Sequence, residues 1–301
     1  MENELKRKLL ECVSDNRILI NEPMYRHTTF RVGGCADFFV EVDTREELQA
    51  LLRLDCDLYL IGNGSNLLIS DKGLRGVVLH LSQRFSEITV TGTTLVCKAG
   101  ATLAAIARTA YEHALTGFEF AAGIPGSLGG AVVMNAGAYD GEMRQVVRRV
   151  TLMRPDGAVI EKSGEEMHFA YRHSLLKEER GLIVLEAEIE LEHGEQAAIK
   201  ATMEDLAERR RSKQPLEYPS AGSAFKRPEG YFAAKLIQDA GLRGFSVGDA
   251  QVSEKHCGFV INKGNASAGD IRCLITEVQK RVKEKFDVLI EPEVICLGEF
   301  D

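Results

Sequence analysis

No run of apolar residues in this 301-residue chain approaches the roughly 20 needed to cross a bilayer, so no membrane span is expected. The amino terminus, MENELKRKLLECV, scatters charges among its apolar residues and has no uninterrupted apolar core before a small-residue cleavage site. A secretion signal is therefore not expected, and a cytoplasmic location is. Cysteine is sparse and dispersed: seven residues, at 12, 35, 56, 97, 257, 273 and 296, are odd in number and never fall in C-x-x-C spacing. That argues against a disulfide framework or a zinc site, and no bound metal is expected. Basic residues are outnumbered, 37 Lys and Arg against 45 Asp and Glu, for a net charge of -8 and a pI near 5.5. General affinity for nucleic acid needs a basic face, so none is expected, and any anionic ligand must be held locally. Two nucleotide motifs are also missing: neither G-x-x-x-x-G-K-[ST] nor G-x-G-x-x-G occurs.

What is present is an ordinary globular composition, 45% apolar and 27% charged, in a chain long enough for two or three domains, each with its own core. The first twenty residues read as a helix, with Leu5, Leu9 and Val13 at helical spacing and Asn21-Glu22-Pro23 ending it. CADFFVEV (35 to 42) reads as a strand, Thr44-Arg45-Glu46-Glu47 as the capped start of a short helix, and DLYLIG (57 to 62) as a buried strand. From Ile88 short strands alternate with a helix that buries Leu103, Ile106, Ala107 and Ala110. Pro155-Asp156-Gly157 sits between two apolar runs as a hairpin turn, and LIVLEAEIEL (182 to 191) reads as a further strand. A charged helix from Glu195 to Lys213 meets Gln214-Pro215, and a last helix opens at Ser267 with Ile271, Leu274, Ile275, Val278 and Val282 as its buried stripe. The expected division is an N-terminal helix over 1–22, an α/β unit over 23–82, a mostly sheet unit over 83–200 and a third region over 201–301.

Two glycine-rich segments carry the chemistry. Gly62-Asn63-Gly64-Ser65-Asn66 follows a strand, where glycines let backbone amides converge on an anion such as a pyrophosphate. A tight strand-to-strand turn explains that loop equally well. The second runs Gly123-Ile124-Pro125-Gly126-Ser127-Leu128-Gly129-Gly130 and on to Asn135-Ala136-Gly137-Ala138-Tyr139. With five glycines and one proline in its first fifteen residues it has little bulk of its own, and a flat cofactor is the natural group to pack on it. A glycine-rich helix packed closely on its neighbours suits only the GGAVVMNAG part.

The chain resembles the UDP-N-acetylenolpyruvoylglucosamine reductases. The resemblance is carried in order by TTFRVGG (28 to 34), IGNGSNLLISD (61 to 71), GFEFAAGIPGSLGGAVVMNAGAY (117 to 139), YRHS (171 to 174), AGSAFKRP (221 to 228), AAKLIQDAGLRGFSVGDAQVSEKHCGFVIN (233 to 262) and EPEV (291 to 294). It implies an α+β fold: a vanillyl-alcohol-oxidase (PCMH) type FAD-binding domain of two α/β subdomains, 23–82 and 83–200, then a C-terminal α+β substrate-binding domain, 201–301. The short link after YRHS implies the shorter subtype, without the extra tyrosine-bearing substrate loop. The implied activity is NADPH-dependent reduction of the enolpyruvyl group of a UDP-amino-sugar through non-covalent FAD, a step in peptidoglycan precursor synthesis.

The resemblance assigns Gly62 to Asn66, with Gly123 to Ser127, Gly129, Gly130, Asn135, Ala136, Gly137 and Tyr139, to FAD. Ser223 of the AGS motif becomes the proton donor that follows hydride delivery, and Gly222 lets the backbone approach the substrate. Arg172 faces the substrate carboxylate, a role that suits a planar, permanently charged guanidinium. Glu293 helps to stabilise the enolic intermediate, and its apolar neighbours Val294 and Ile295 suggest a partial burial that would favour the protonated form. Tyr171, Lys213, Lys255 and Asn262 are candidates for the substrate cleft. Without the resemblance these residues read more plainly: Ser223 as a loop polar group, Arg172 as a surface ion pair, Glu293 as a solvent-facing acid, Lys255 as an exposed lysine. Cys35 and Cys257 stand where the family usually has other small residues, and neither touches the catalytic set. Partners are expected to be the UDP-sugar and NADPH, with a monomer favoured. An FAD-dependent oxidase would share the glycine segments without needing AGSAFKRP or EPEV, and a flavin- or UDP-sugar-binding regulator would not need all three catalytic residue types.

Overall fold

The computed structural model describes residues 2–300; Met1 and Asp301, the outer ends of the first and last expected regions, lie outside the described residues. The helix expected over the first twenty residues covers only Glu2–Cys12, and after a 3-10 turn at Asp15–Arg17 a strand runs over Ile18–Pro23. The tail of the expected helix becomes a strand because Ile18, Leu19 and Ile20 are strand formers with a sheet neighbour in Cys35–Val42. That four-stranded sheet continues with Leu74–Leu81 and ends on Leu58–Ile61. The strand Leu58–Ile61 is correspondingly less buried than expected: only Ile61 is fully covered, and Leu60 is exposed, as an edge position allows.

The chain divides into two compact units. One comprises the residues up to Leu19 with Phe39–Gly62 and Val78–Arg209; the other comprises Ile20–Phe38, Asn63–Val77 and the residues from Arg210 onward.

The first unit is built on a five-stranded antiparallel sheet in the order Val159–Ser163, Val147–Met153, Ile183–Glu190, Thr94–Lys98, Ile88–Thr91. Pro155-Asp156-Gly157 turns the chain between its first two strands, with Gly157 at φ 84° and the Ala158 amide donating to the Asp156 carboxylate at 2.9 Å. Helices Leu103–Glu112 and Leu128–Met134 pack on the sheet, and Ile106, Ala110, Leu128 and Val132 join Leu95, Val150 and Ile189 in one core. Thr102 starts the first of these helices by accepting from the Ala105 amide at 3.1 Å. Cys97 lies in the same core, where burial pushes its thiol up to about 12, so it behaves as a small apolar side chain.

The second unit holds a four-stranded antiparallel sheet in the order Ser220–Ser223, Phe259–Asn262, Ala250–Val252, Ser246–Val247, with helices Ala233–Asp239 and Ala268–Phe286. The long helix begins in the expected capping box between Ser267 and Asp270, reinforced by the Asp71 carboxylate, which accepts from the amides of Ala268 and Gly269, each at 2.8 Å. Ile271, Leu274, Ile275, Val278 and Val282 are buried as one stripe, each worth roughly 1.5–3 kcal/mol. The strand Ile295–Leu297 pairs in parallel with Leu67–Ile69 and so brings the last residues beside the first glycine loop. Separate antiparallel sheets with helices alongside make the fold α+β. No helix among the described residues is long and apolar enough to cross a membrane.

Candidate active site

Gly62 closely approaches Ser127, since a Cβ there would lie 2.3 Å from the Ser127 hydroxyl oxygen, which would have to turn away. The first glycine loop and the start of the second segment therefore meet at that point. Gly64 is constrained twice: its φ is 61°, and a Cβ would lie 2.0 Å from the His27 carbonyl oxygen. Asn63 is exposed and Ser65 half-buried. Asn66 is fastened at both ends, its side-chain amide donating to the Glu293 carbonyl at 3.0 Å and its own carbonyl accepting from the Ile295 amide at 2.9 Å.

The second segment is irregular over Gly123–Gly126, with Gly123 and Pro125 exposed, and becomes helical from Leu128. The amides of Leu128 and Gly129 donate to the carbonyls of Ala101 and Ala99, each at 2.8 Å, so they are committed to the protein. A Cβ on Gly129 would come within 3.2 Å of the Ala99 Cβ, whereas Gly130 is exposed and would meet only the Ser127 hydroxyl at 3.7 Å. Close packing on neighbours thus explains Gly129, and open space remains at Gly130. Asn135 ends the helix in the left-handed region, fully buried. Its side chain donates to the Ala170 carbonyl and the Glu142 carboxylate, each at 3.0 Å, and accepts from the Arg144 amide at 2.9 Å. Its amide group is spent on the protein, holding the end of this helix to the segment before Tyr171. Half-buried Ala136 and Gly137 lead into a two-residue hairpin turn, where Tyr139 (φ 52°) and Asp140 (φ 67°) both take the left-handed conformation that such turns need.

Arg172 lies in a second tight turn. Ala170 and His173 exchange both backbone hydrogen bonds, at 3.2 and 3.1 Å, leaving Tyr171 and Arg172 at the tip. Arg172 has φ 53°, a conformation that costs a residue other than glycine roughly 1–2 kcal/mol. Its guanidinium carbon lies 5.3 Å from the centre of the exposed Tyr171 ring, and its Nη2 reaches the Gly137 carbonyl at 3.5 Å. The turn thereby presents a cation next to the second glycine segment.

In the second unit Ser223 ends a strand that contains a bulge. Ser220 pairs with Ile261 and Ser223 with Phe259, so three steps on one strand match two on the other. Gly222, at φ 74°, sits within the bulge, and a Cβ there would meet nothing within 4 Å. The bulge re-aims Ser223 and leaves the backbone beside it open. The following residues run against EPEV: Glu293 donates its amide to the Ala224 carbonyl at 2.9 Å, and Lys226 donates to the Glu291 carbonyl at 2.8 Å. Ser223, Glu293 and Asn66 are thus brought to one place by backbone pairing. Glu293 is half-buried and Val294 buried, while Ile295, expected to help cover the acid, is exposed.

The substrate candidates of this unit are held in different ways. Asn262 is buried, and its amide donates to the Phe30 carbonyl at 3.1 Å while accepting from the amides of Gly264 and Ala266. These bonds fasten the Asn262 side chain to the scaffold. Lys255 donates to the Arg211 carbonyl at 2.7 Å in the last turn of the helix Gln196–Lys213, a cation where the helix dipole favours one. Lys213 ends the same helix and is exposed. His256 packs edge-on against Phe259 at 5.0 Å, and burial lowers its pKa. Among the described residues no group of three or more His, Cys, Asp or Glu could hold a metal ion.

Thr29, in TTFRVGG, went unassigned from the sequence. Its amide donates to the Gly64 carbonyl at 3.3 Å, while its buried hydroxyl has no hydrogen-bond partner among the described residues. Leaving such a group unsatisfied costs roughly 1–3 kcal/mol, which a polar ligand lying on the glycine loop would recover. Within its unit, this hydroxyl beside the glycine loop suits the polar part of a dinucleotide such as FAD; in the other unit, Gly130 has open space of its own. The motif was visible, but the orphaned atom appears only once the loop is folded against it.

Comparison with known proteins agrees with this geometry. Residues 36–163 match the FAD binding domain family, and residues 214–297 match the C-terminal domain of UDP-N-acetylenolpyruvoylglucosamine reductase. Fold and site together define an FAD-dependent oxidoreductase. Proteins named UDP-N-acetylenolpyruvoylglucosamine reductase from Caldanaerobacter subterraneus subsp. tengcongensis and Clostridioides difficile are 52% and 50% identical to the chain, over 97% of each partner's length. The one from Agathobacter rectalis is 49% identical over the full length of both. The crystal structure of the Thermus caldophilus enzyme, 35% identical, superposes with a TM-score of 0.81 over 93% of this chain and 98% of its own. The chain belongs to the UDP-N-acetylenolpyruvoylglucosamine reductase family.

Proposed function

We propose that the protein reduces the enolpyruvyl ether of UDP-N-acetylglucosamine enolpyruvate to the lactyl ether of UDP-N-acetylmuramate, with NADPH as reductant, in the cytoplasm. When bound, FAD supplies the transfer of hydride from NADPH to the substrate. The remaining work belongs to the chain. Thr29 offers an orphaned hydroxyl that would meet the cofactor; Gly130, separately, offers open backbone. Arg172, on its strained turn, pairs with the substrate carboxylate and holds it against the charge that builds there once the methylene carbon gains hydride. Ser223 delivers the proton to the adjacent carbon from its hydroxyl, while the Gly222 bulge leaves room for the substrate to come that close. Glu293, held beside Ser223 through Ala224 and Asn66, supports the enolic form. Lys213 and Tyr171 are exposed groups for the sugar nucleotide; Lys255 and Asn262 keep scaffold roles.

The observation that carries this reading is the pairing of AGSAF with EPEV, which sets a re-aimed serine and a half-buried acid side by side. We further propose the division 23–82 and 83–200 for cofactor binding and 201–301 for substrate, in a monomer. The test is spectroscopic. A yellow preparation should lose its 450 nm band with NADPH and regain it, without oxygen, only when the enolpyruvyl UDP-sugar is added. Reoxidation by oxygen alone, with the UDP-sugar inert, would point instead to an oxidase.

A further inference from the structure

We infer that Glu178, through hydrogen bonds from His168 and His173, is a positioning residue that fixes the turn carrying Arg172. The inference rests on the proposed role of Arg172 at the substrate carboxylate. His173, next in the chain to Arg172, donates from Nε2 to one Glu178 oxygen at 2.8 Å. His168 donates from Nδ1 to the other at 3.0 Å. One carboxylate therefore ties together the segments entering and leaving the turn. The neighbouring Lys177 adds a third tie, its ammonium donating to the Arg172 carbonyl at 2.8 Å.

Two features argue that this arrangement serves the geometry of the turn. First, His168 (φ 48°) and Arg172 (φ 53°) are both left-handed, a state that residues other than glycine keep only where their surroundings over-determine it. Second, the three tied side chains are about as exposed as ordinary surface groups, 55% for His168, 43% for Glu178 and 36% for His173, where ion pairs add little to global stability. Glu178 itself is mounted firmly. It ends the short helix Leu175–Glu178, whose leading residue Ser174 donates to the Val133 carbonyl at 2.8 Å and whose Leu175 is buried. The bond from His173 first, then that from His168, holds the Glu178 carboxyl below the usual carboxylate range, so the acceptor is an ionised group. Network and cation thus form one local unit in which the loss of Glu178 frees the turn without exposing a core.

The experiment uses the full-length holoenzyme and compares Glu178→Ala, Glu178→Gln, Arg172→Ala and Arg172→Ala/Glu178→Ala. Glu178→Ala should lower kcat/KM for the enolpyruvyl UDP-sugar about tenfold, mainly through KM, with FAD content intact and the melting temperature within about 2 °C of the parent. Exchange of the His173 amide hydrogen, which donates to Ala170 across the turn, should speed up about tenfold. Glu178→Gln should recover most of the loss, because its amide can accept from one imidazole and donate to the other once that ring changes tautomer. In the double variant the Glu178 penalty should vanish, since there is no longer a cation to position. The inference is overturned if Glu178→Ala keeps both kcat/KM and His173 exchange at parental values, or if its full penalty persists without Arg172. Normal turnover by Arg172→Ala alone would remove the role proposed for that arginine, and His173 exchange would still decide whether Glu178 holds the turn.

Discussion

The side-chain amide of Asn66 donates to the carbonyl of Glu293 at 3.0 Å across 227 positions of sequence, and the Ile295 amide returns a bond to the Asn66 carbonyl at 2.9 Å. Asn66 therefore anchors the segment that carries the proposed acid and leads into the strand Ile295–Leu297, as well as closing the first glycine loop. Asn66→Ala should lose roughly 1–2 kcal/mol of unfolding free energy in urea titrations. Turnover should also fall, by about tenfold, as Glu293 loses its fixed place. Asn66→Asp should be worse than Asn66→Ala on both counts, because a carboxylate cannot donate to a carbonyl and would face it lone pair to lone pair. An aspartate variant as stable and active as the parent would show that this bond does not hold Glu293.

Two glycines with positive φ provide a matched comparison. At Gly222 (φ 74°) an added methyl meets nothing within 4 Å, so Gly222→Ala should cost only the backbone penalty of roughly 1–2 kcal/mol in a denaturant titration. At Gly64 (φ 61°) the same methyl lies 2.0 Å from a backbone oxygen, so the loop must move. Gly64→Ala should purify with much less FAD, measured as the ratio of 450 to 280 nm absorbance, while Gly222→Ala keeps its full complement. Equal flavin loss in both, or in neither, would mean that the first loop does not carry the cofactor.

Much of this architecture was legible because local signals sufficed. Thr44 and Ser267 begin helices by satisfying free amides three residues on, and the stripe from Ile271 to Val282 has one period along its whole length. The misreadings came where a distant partner decides. Ile18–Pro23 extends because a neighbouring strand receives it, and Leu58–Ile61 is half-covered because it lies on an edge. At the site, glycine content announced both loops, yet composition could not say that Gly129 answers to Ala99 while Gly130 stays open. Nor could it reveal the bulge at Gly222, which depends on register against Phe259–Asn262, or the convergence of His168 and His173 on Glu178.

The N-terminal segment should carry an acid-sensitive share of the stability. Arg17 donates to the two carboxylate oxygens of Glu47 at 2.7 and 2.5 Å, and both side chains are largely buried. The bond from Arg17 holds the Glu47 carboxyl below its usual range against the opposing effect of burial, with help from the Asp43 amide. A carboxyl whose folded pKa is depressed stabilises the fold fully above its unfolded value, about 4.3, and loses that contribution as pH falls through the folded value. Glu47→Gln should therefore lower stability by on the order of 2 kcal/mol at pH 7. The gap between variant and parent should close on acidification below about pH 4. Chemical denaturation at pH 7, 5, 4 and 3 reads this directly, and a gap that stays constant with pH would assign the effect to the capping box alone.

The last prediction separates proton delivery from everything else at Ser223. The hydroxyl is aimed by a bulge, and the pairing of Ala224 with Glu293 depends on backbone atoms that a side-chain change leaves intact. Ser223→Ala should therefore fold with normal melting behaviour and full FAD content, and bleaching of the yellow colour by NADPH should keep its parental rate, because that half of the cycle involves no substrate carbon. Return of colour on anaerobic addition of the enolpyruvyl UDP-sugar should slow by roughly 10²- to 10⁴-fold, the usual cost of removing a positioned acid. Ser223→Cys should recover part of the rate, since a thiol is a stronger acid held in nearly the same place. Stopped-flow absorbance resolves the two halves in one preparation. If the alanine variant regains colour at the parental rate, Ser223 is a bulge residue without a chemical part; if it loses the first half as well, the serine supports binding or folding and the donor lies elsewhere.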